Sequence, residues 1–201
     1  MTVQAIIEAA ERLFAKHGID GVSMRQISQE AGSGNHFSVQ YHFGDKKALA
    51  EAIIANRMPD LERRRGELLA EVTRAGALTD VHALMRALLL PYCYQTDVNG
   101  EHSYAAFAIH LYWHSSIPPT WQTSPEFAPM VRHIITLISQ QLDLPDDIAE
   151  LRLRLALVSF LHVVVDRDQW RTGVHGRAVE DMWEDAVRFA VGGLTAPWLA
   201  A

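Results

Sequence analysis

The fold of this chain is decided at residues 6–49, IIEAAERLFAKHGIDGVSMRQISQEAGSGNHFSVQYHFGDKKAL. Ile6, Ala10, Leu13 and Phe14 recur three or four positions apart, which is the spacing of one face of an α-helix. Gly18 tolerates the left-handed conformation that ends many helices. We therefore predict a first helix over residues 2–17.

Two further short helices are predicted within the same stretch. Ser23 and Gln26 have the S-x-x-Q spacing of a capping box, which predicts a second helix from Ser23 to Gly32. A third helix is predicted over residues 35–43, before Gly44 and Asp45 mark a stop and a new N-cap. A short helix, a tight turn and another helix outline a helix-turn-helix, whose second helix enters the major groove of DNA.

Several motifs of this stretch occur in a recognisable order: AAERLFAKHG, S-x-R-x-I…AG, YHF and DKKAL. On these motifs, residues 6–49 resemble the DNA-binding domain of the tetracycline-repressor (TetR) family of transcriptional regulators. Between AG and YHF the chain has one residue more than the commonest family pattern, and Ser28 stands where alanine is usual. The rest of the chain resembles the family only in its length and helical pattern.

The resemblance implies an all-α fold of two domains and a DNA-binding function. Residues 1–45 are expected to form a three-helix helix-turn-helix domain, and residues 46–201 a helical ligand-binding and dimerisation domain. A homodimer would bind a palindromic operator in double-stranded DNA, as a regulator and more specifically a repressor. The resemblance assigns phosphate contacts to Tyr41 and Lys46.

Other side chains of the second and third helices are suited to DNA as well. Ser23, Arg25 and Ser38 carry hydroxyl or guanidinium donors for phosphate oxygens. Base reading is expected of the side chains at the start of the third helix, since Gln pairs with adenine and Phe contacts the thymine methyl group. These side chains are Asn35, His36, Phe37 and Gln40.

Composition and charge limit the remaining possibilities. Hydrophobic residues make up 49% of the 201 residues and the net charge is −6, which excludes a disordered chain and a uniformly basic one. Residues 1–57 contain six Lys/Arg and six Asp/Glu, whereas the rest contains twelve and eighteen, so two units with different partners are predicted. No apolar run reaches the about 20 residues of a membrane span, and no leader is evident, so we expect a cytoplasmic protein without a membrane partner.

The second unit is predicted to contain longer helices. Pro59 is expected to kink or end the fourth helix, and Pro91 to kink a later one. We place the subsequent helices near residues 60–75, 79–97, 102–116, 126–142, 146–170 and 178–194.

A dimer surface is predicted on the last two helices. Residues 151–165 are apolar nearly all round, which suits a helix that packs on both core and partner. The final helix has an apolar stripe wide enough to pack twice, and the resemblance implies a four-helix bundle between two subunits. His162 and Asp166 lie four apart within the apolar helix, and a buried pair there would set the dimer geometry instead of performing chemistry. Alternatively, these stripes form only the core of one subunit.

The middle helices are rich in aromatic and histidine side chains, which is typical of a small-molecule site, although such a stripe is also typical of core. The side chains expected to bind a ligand are Leu88, Tyr92, Phe107, His110, Trp113 and His114. His110 and His114 also have metal-ligand spacing, with His102 nearby.

No catalytic triad, phosphate loop or paired-carboxylate motif is present in the sequence, so neither an enzyme nor a cofactor is predicted. The leading hypothesis is a homodimeric repressor that a small apolar or aromatic ligand releases from its operator. One alternative is a helical metal-binding protein or enzyme that uses His102, His110 and His114. A second alternative is a DNA-binding protein without a ligand.

Overall fold

The computed structural model describes residues 2–32, 37–114, 127–169 and 178–198, and these residues form helices without any strand. An all-α fold was predicted and is confirmed. In chain order the helices are α1 Val3–His17, α2 Met24–Glu30, α3 Ser38–Phe43, α4 Lys46–Arg74, α5 Val81–Leu89, a 3₁₀ helix Leu90–Tyr94, α6 Ser103–His114, α7 Pro129–Ser139, α8 Asp146–Gln169 and α9 Val179–Leu194.

The capping signals of α2 form as the sequence predicted. The backbone N–H of Ser23 donates to Gln26 Oε1 at 2.8 Å, and the backbone N–H of Gln26 donates to Ser23 Oγ at 3.3 Å. After α2, Gly32 has a φ of +73°, which is the left-handed region that glycine tolerates. Helix α3 begins at Ser38 instead of near residue 35, and residues 33–36 of the turn lie outside the described residues.

Helix α4 is one continuous helix of 29 residues that contains Pro59 in its interior. The expected break near Pro59 into two helices is therefore wrong. Proline removes one intrahelical hydrogen bond, but Pro59 is exposed, whereas Ile54, Met58 and Leu61 on either side of it are buried in the core. Packing of these flanking side chains holds the helix together across the missing bond.

Pro91 changes the helix type, as its position predicted. Helix α5 ends at Leu89 and the chain continues as a 3₁₀ turn through Pro91. A 3₁₀ turn uses i→i+3 hydrogen bonds, so the ring is accommodated at its start. The buried side chains of both segments stay on the core side, including Leu84, Leu88 and Tyr92.

One continuous apolar core joins the amino-terminal helices to the rest of the molecule. Helix α1 packs along α6, where the rings of Phe14 and Phe107 stack with their centroids 6.2 Å apart. Tyr104 lies beside Phe107 and Tyr92, at 6.0 Å from each. The helices α1 to α3 are thus packed directly against the helical body.

A buried carboxylate strengthens this junction. Glu11 of α1 accepts from Arg57 of α4 at 2.7 and 2.8 Å and from the hydroxyl of Ser103, at the start of α6, at 2.5 Å. The opposing charge of Glu11 raises the pKa of Arg57 despite the opposing effect of burial. Three helices are held together by one carboxyl group.

No helix of the described residues has both the length and the apolar character needed to cross a membrane.

Candidate functional site

The outer face of α3 carries two large exposed aromatic side chains. Phe37 is 74% and Tyr41 85% exposed, and Gln40 between them is exposed as well. Val39 points the other way and is completely buried, because it anchors the short helix on the core. The helix therefore presents one row of side chains, Phe37, Gln40 and Tyr41, to the outside.

His42 belongs to this exposed face too. Its ring is exposed and lies edge-on to Tyr41, with the ring centroids 5.3 Å apart. In the sequence, His42 lies between Tyr41, a predicted DNA contact, and Phe43, which packs partly against the core. Asn35 and His36 lie outside the described residues.

The hydroxyl groups of Ser23 and Ser38 are engaged within the helix-turn-helix. Ser23 is exposed, and its hydroxyl donates to Gln26 Oε1 at 2.7 Å as part of the cap. The oxygens of Ser38 and Ser28 are 3.2 Å apart. Ser28 is fully buried, so this contact fastens α3 to α2 and gives a physical reason for serine at position 28.

Lys46 and Arg25 differ in how much of their charge is engaged. Lys46 Nζ donates to the carbonyl oxygens of Ile19 and Asp20, both at 3.0 Å, so it braces the turn between α1 and α2. The third N–H of Lys46 has no acceptor among the described residues. Arg25 is exposed and forms no ion pair with any of them.

A cavity of about 490 Å³ opens between α4, α5, α6, α7 and α8. Its floor is formed by buried side chains, among them the predicted residues Leu88 and Tyr92, together with Met58 and Arg65. Its rim carries charged side chains of both signs. These are Arg132, Asp146, Glu150 and Arg154.

Two of the predicted ligand residues do not line this cavity. Phe107 is fully buried against Phe14, and His110 lies next to the end of α1, where a Cβ on Gly18 would be 3.5 Å from its Nδ1. The aromatic stripe on α6 is thus core at Phe107, whereas His110 is half-buried beside α1. The side chains of Trp113 and His114 lie outside the described residues.

Arg65 is the buried charged residue among the cavity residues that the sequence did not predict. It is 1% exposed, and its guanidinium lies over the ring of Tyr92, 5.3 Å from the centroid. Its Nη1 donates to Glu62 Oε1 at 3.2 Å, and its Nε to the carbonyl oxygen of Leu88 at 3.3 Å. The signal was its spacing, because Arg65 lies midway between Leu61 and Leu69 on the apolar face of α4.

The metal site considered as an alternative is not formed at His102. Its Nδ1 is 2.7 Å from Asp168 Oδ1 and its Nε2 is 3.0 Å from the carbonyl oxygen of Cys93, so both ring nitrogens are engaged. In the part of the chain that the structure describes, no three His, Cys, Asp or Glu side chains are grouped as metal ligands. His162 and Asp166, which were considered as a pair at a dimer interface, are both exposed in the single chain.

The predicted stripe on α9 divides between two sides. Trp183, Val187, Ala190 and Leu194 are buried within the chain, so they belong to the core. Beside them a shallow apolar groove runs between α8 and α9. It is lined by Ser159, Val163, Asp181, Met182, Asp185, Ala186 and Phe189.

Comparison with known proteins identifies the amino-terminal part of the chain. Residues 6–53 match the family of bacterial regulatory proteins named tetR. The chain is 38% identical over 80 residues to the HTH-type transcriptional repressor AcnR of Corynebacterium glutamicum, a match that covers 38% of this chain and 40% of that protein. AcnR of Corynebacterium diphtheriae is 35% identical over 77 residues, 37% of this chain and 39% of the relative. The matches thus span about two fifths of these curated relatives.

Solved structures with a similar helical arrangement include a transcriptional regulatory protein, RHA5900, with a TM-score of 0.48 and 18% identity over 96% of this chain and 99% of that chain. A protein of Mesorhizobium loti, assigned to the TetR family, has a TM-score of 0.45 and 16% identity over 95% and 94% of the two chains.

Proposed function

Because the chain carries the amino-terminal domain of the tetR family of bacterial regulatory proteins, we propose that it is a homodimeric transcriptional repressor that binds a palindromic operator. The observation that carries this proposal is the row of exposed side chains on α3, in the helix-turn-helix element that enters the major groove. Aromatic side chains exposed to this extent on so short a helix are suited to an external surface such as DNA.

Base reading falls to Phe37 and Gln40, and phosphate contact to Tyr41, Arg25 and the remaining donor of Lys46. The side-chain amide of Gln40 has both a hydrogen-bond donor and an acceptor for adenine. The apolar ring of Phe37 can contact the methyl group of thymine. The hydroxyl group of Ser23 donates to Gln26 and can donate to phosphate only by leaving it, whereas Ser38 can accept from Ser28 and donate to phosphate at the same time. Asn35 and His36 remain proposed as base contacts on sequence grounds alone.

Two copies are required because palindromic half-sites lie about 34 Å apart along the duplex. The groove between α8 and α9, with the 74% exposed Phe189 on its edge, is the proposed dimer face. Apolar side chains that are this exposed on two adjacent helices are typical of an interface.

The cavity between α4 and α8 is the proposed site of a small, largely apolar ligand that releases the DNA. Helix α4 connects the helix-turn-helix to the cavity. It begins at Lys46 beside α3, and it contributes Met58 and Arg65 to the cavity floor. A ligand that binds better when α4 is tilted would change the distance between the two reading helices, and only such a preference shifts the equilibrium.

Selection of bound DNA from a random pool tests the proposal. We expect a palindrome whose half-sites are one helical turn apart. Tyr41→Phe and Lys46→Ala should each weaken binding of the selected DNA by about tenfold, since each removes one hydrogen bond to phosphate. Arg74→Ala is the matched control, because Arg74 is exposed at the opposite end of the same helix. Enrichment of no sequence, or equal loss in the control, would contradict the proposal.

A further inference from the structure

Arg65 is buried on the floor of the cavity with part of its donor capacity unused. Its Nε and Nη1 donate to Leu88, Glu62 and the sulfur of Met58. Its Nη2, which carries two N–H groups, has no acceptor among the described residues. Because Arg65 lines the cavity, this nitrogen marks a place where an acceptor supplied from outside the chain can bind.

Two phenol side chains, those of Tyr92 and Tyr112, line this end of the cavity. Burial, followed by the nearby phenol of Tyr92, raises the pKa of Tyr112, so its hydroxyl keeps its proton. A guanidinium and two phenols together form the polar end of the cavity.

The rest of the cavity wall is apolar and leads away from Arg65. Leu88, Val131, Ile135, Leu153 and Leu157 line it between the floor and the rim. The rim carries two arginines and two carboxylates, so its charged side chains have no net charge. A ligand that fits this wall is apolar along its length and carries its acceptor at one end.

We propose that the ligand of this cavity is an amphipathic monocarboxylate, whose carboxylate accepts from Arg65 Nη2 and whose apolar chain extends between α7 and α8. The inference rests on the proposed function in one respect, namely that this cavity is the ligand site. Charge-assisted hydrogen bonds to a buried guanidinium are the strong ones, so the carboxylate is the group that decides affinity.

The same geometry predicts how Glu62 affects the bound carboxylate. Glu62 holds Arg65 through Oε1, and its Oε2 accepts from the backbone N–H of Met130, in the first turn of α7, at 2.6 Å. Glu62 is thus a negative charge beside the proposed carboxylate, and its repulsion lowers the affinity for a charged ligand.

Calorimetric titration of the full chain with octanoate and with octan-1-ol, a probe of the same length without the charge, tests the inference. We expect octanoate to bind one per chain and at least about tenfold more tightly than octanol. Arg65→Gln should abolish this preference, whereas Arg154→Gln on the rim should retain it. Glu62→Gln removes this negative charge and should tighten octanoate binding without changing that of octanol.

The Glu62→Gln result keeps the test decisive if Arg65→Gln fails to fold, as a melting curve followed by circular dichroism would reveal. Equal affinity for the two probes, no binding of octanoate, or weaker octanoate binding in Glu62→Gln would each overturn the inference. Binding of the selected DNA is measured separately, and so a failure of the ligand class leaves the proposed DNA-binding function standing. If octanol alone binds and releases the DNA, the cavity is a ligand site for neutral molecules, and the proposal of a carboxylate ligand is wrong.

Discussion

Two charged residues, Glu11 and Arg65, are each only 1% exposed, and each connects helices that are distant in sequence. Glu11 joins α1 to Arg57 of α4 and to Ser103 of α6. Arg65 joins α4 to the end of α5 and faces the cavity. Buried charges persist only where opposite charges and hydrogen bonds compensate them, so both positions should be sensitive to substitution.

Substitution of Glu11 by alanine tests this sensitivity. Glu11→Ala leaves Arg57 buried without its carboxylate, and removal of one partner from such a pair costs about 3 kcal/mol of unfolding free energy. Urea unfolding followed by circular dichroism measures the loss. Glu51→Ala, an exposed carboxylate on α4, should change the unfolding free energy by less than about 0.5 kcal/mol. A comparable loss in both variants would contradict the role given to Glu11.

Phe37→Ala should affect DNA binding and leave stability unchanged. The side chain is 74% exposed, so little buried area is lost, and the unfolding free energy should stay within about 0.5 kcal/mol of the wild type. Loss of its contact with a base should weaken binding of the selected DNA by about tenfold, measured by fluorescence anisotropy. Val98→Ala, at a position 77% exposed in the loop before α6, is the control. Unchanged DNA affinity in Phe37→Ala would exclude Phe37 from the interface.

At the scale of single residues, the spacing of residue types along the sequence predicted some residues of the candidate site and missed others. Phe37, Gln40 and Tyr41 follow from the helix-turn-helix pattern, and the structure places them on the same exposed face around buried Val39. The carbonyl contacts of Lys46 and the position of Arg65 depend on residues from other helices. Sequence periodicity carries no information on which helix supplies such a partner.

Among the elements, α4 differs most from its prediction. Several helix ends coincide with glycine or a capping residue, as at Gly18, Ser23 and Asp45, because these signals act within one turn. The local penalty of Pro59 is instead outweighed by burial of side chains on both sides of it. Propensity is a weak guide wherever tertiary packing spans the position.

Pro59→Ala measures that penalty. The substitution restores a backbone donor in the middle of α4, and Pro59 is exposed, so no packing is lost. We expect the unfolding free energy to rise by about 1 to 3 kcal/mol. Chemical denaturation detects the change. Ala55→Gly, an exposed position one turn earlier on the same helix, should instead lower stability by about 1 kcal/mol. A less stable Pro59→Ala protein would mean that the proline is required by the conformation of α4.

At the scale of the whole molecule, the stability of the protein is sensitive to alkaline pH because Tyr104 is buried in the core that joins α1 to the rest of the chain. Burial, and next the neighbouring phenol of Tyr92, raises the pKa of Tyr104 well above its ordinary value of about 10. The unfolded chain loses this proton near pH 10 and the folded chain retains it. The contribution of protonated Tyr104 to the free energy of unfolding is therefore complete below pH 10 and is lost as the pH rises above 10.

Tyr104→Phe removes this dependence. Relative to the wild type, the variant should gain about 1 kcal/mol of unfolding free energy for each pH unit above 10. Urea unfolding between pH 8 and pH 11 measures the difference between the two proteins. Tyr94→Phe, at a position 53% exposed, is the control and should follow the wild type. A constant difference between Tyr104→Phe and the wild type over this range would contradict the assignment.

Two reading helices act together only if two chains associate, so the dimer face decides function at the largest scale. Leu151, Leu155 and Phe189 are exposed apolar side chains on α8 and α9, and none is needed for the core of one chain. Phe189→Asp places a charge in that face. Sedimentation should then give a mass of 22.5 kDa, one chain, where the wild type gives twice that mass.

The same substitution should weaken operator binding by about a hundredfold or more, because the second half-site no longer benefits from the first. Far-ultraviolet circular dichroism of Phe189→Asp should equal that of the wild type, since Phe189 is 74% exposed in the single chain. Val98→Asp adds the same charge at a similarly exposed position away from α8 and α9, and should remain dimeric with full operator affinity. If Phe189→Asp stays dimeric and binds DNA as the wild type does, the two chains associate through another surface, and the geometry proposed for the paired reading helices is wrong.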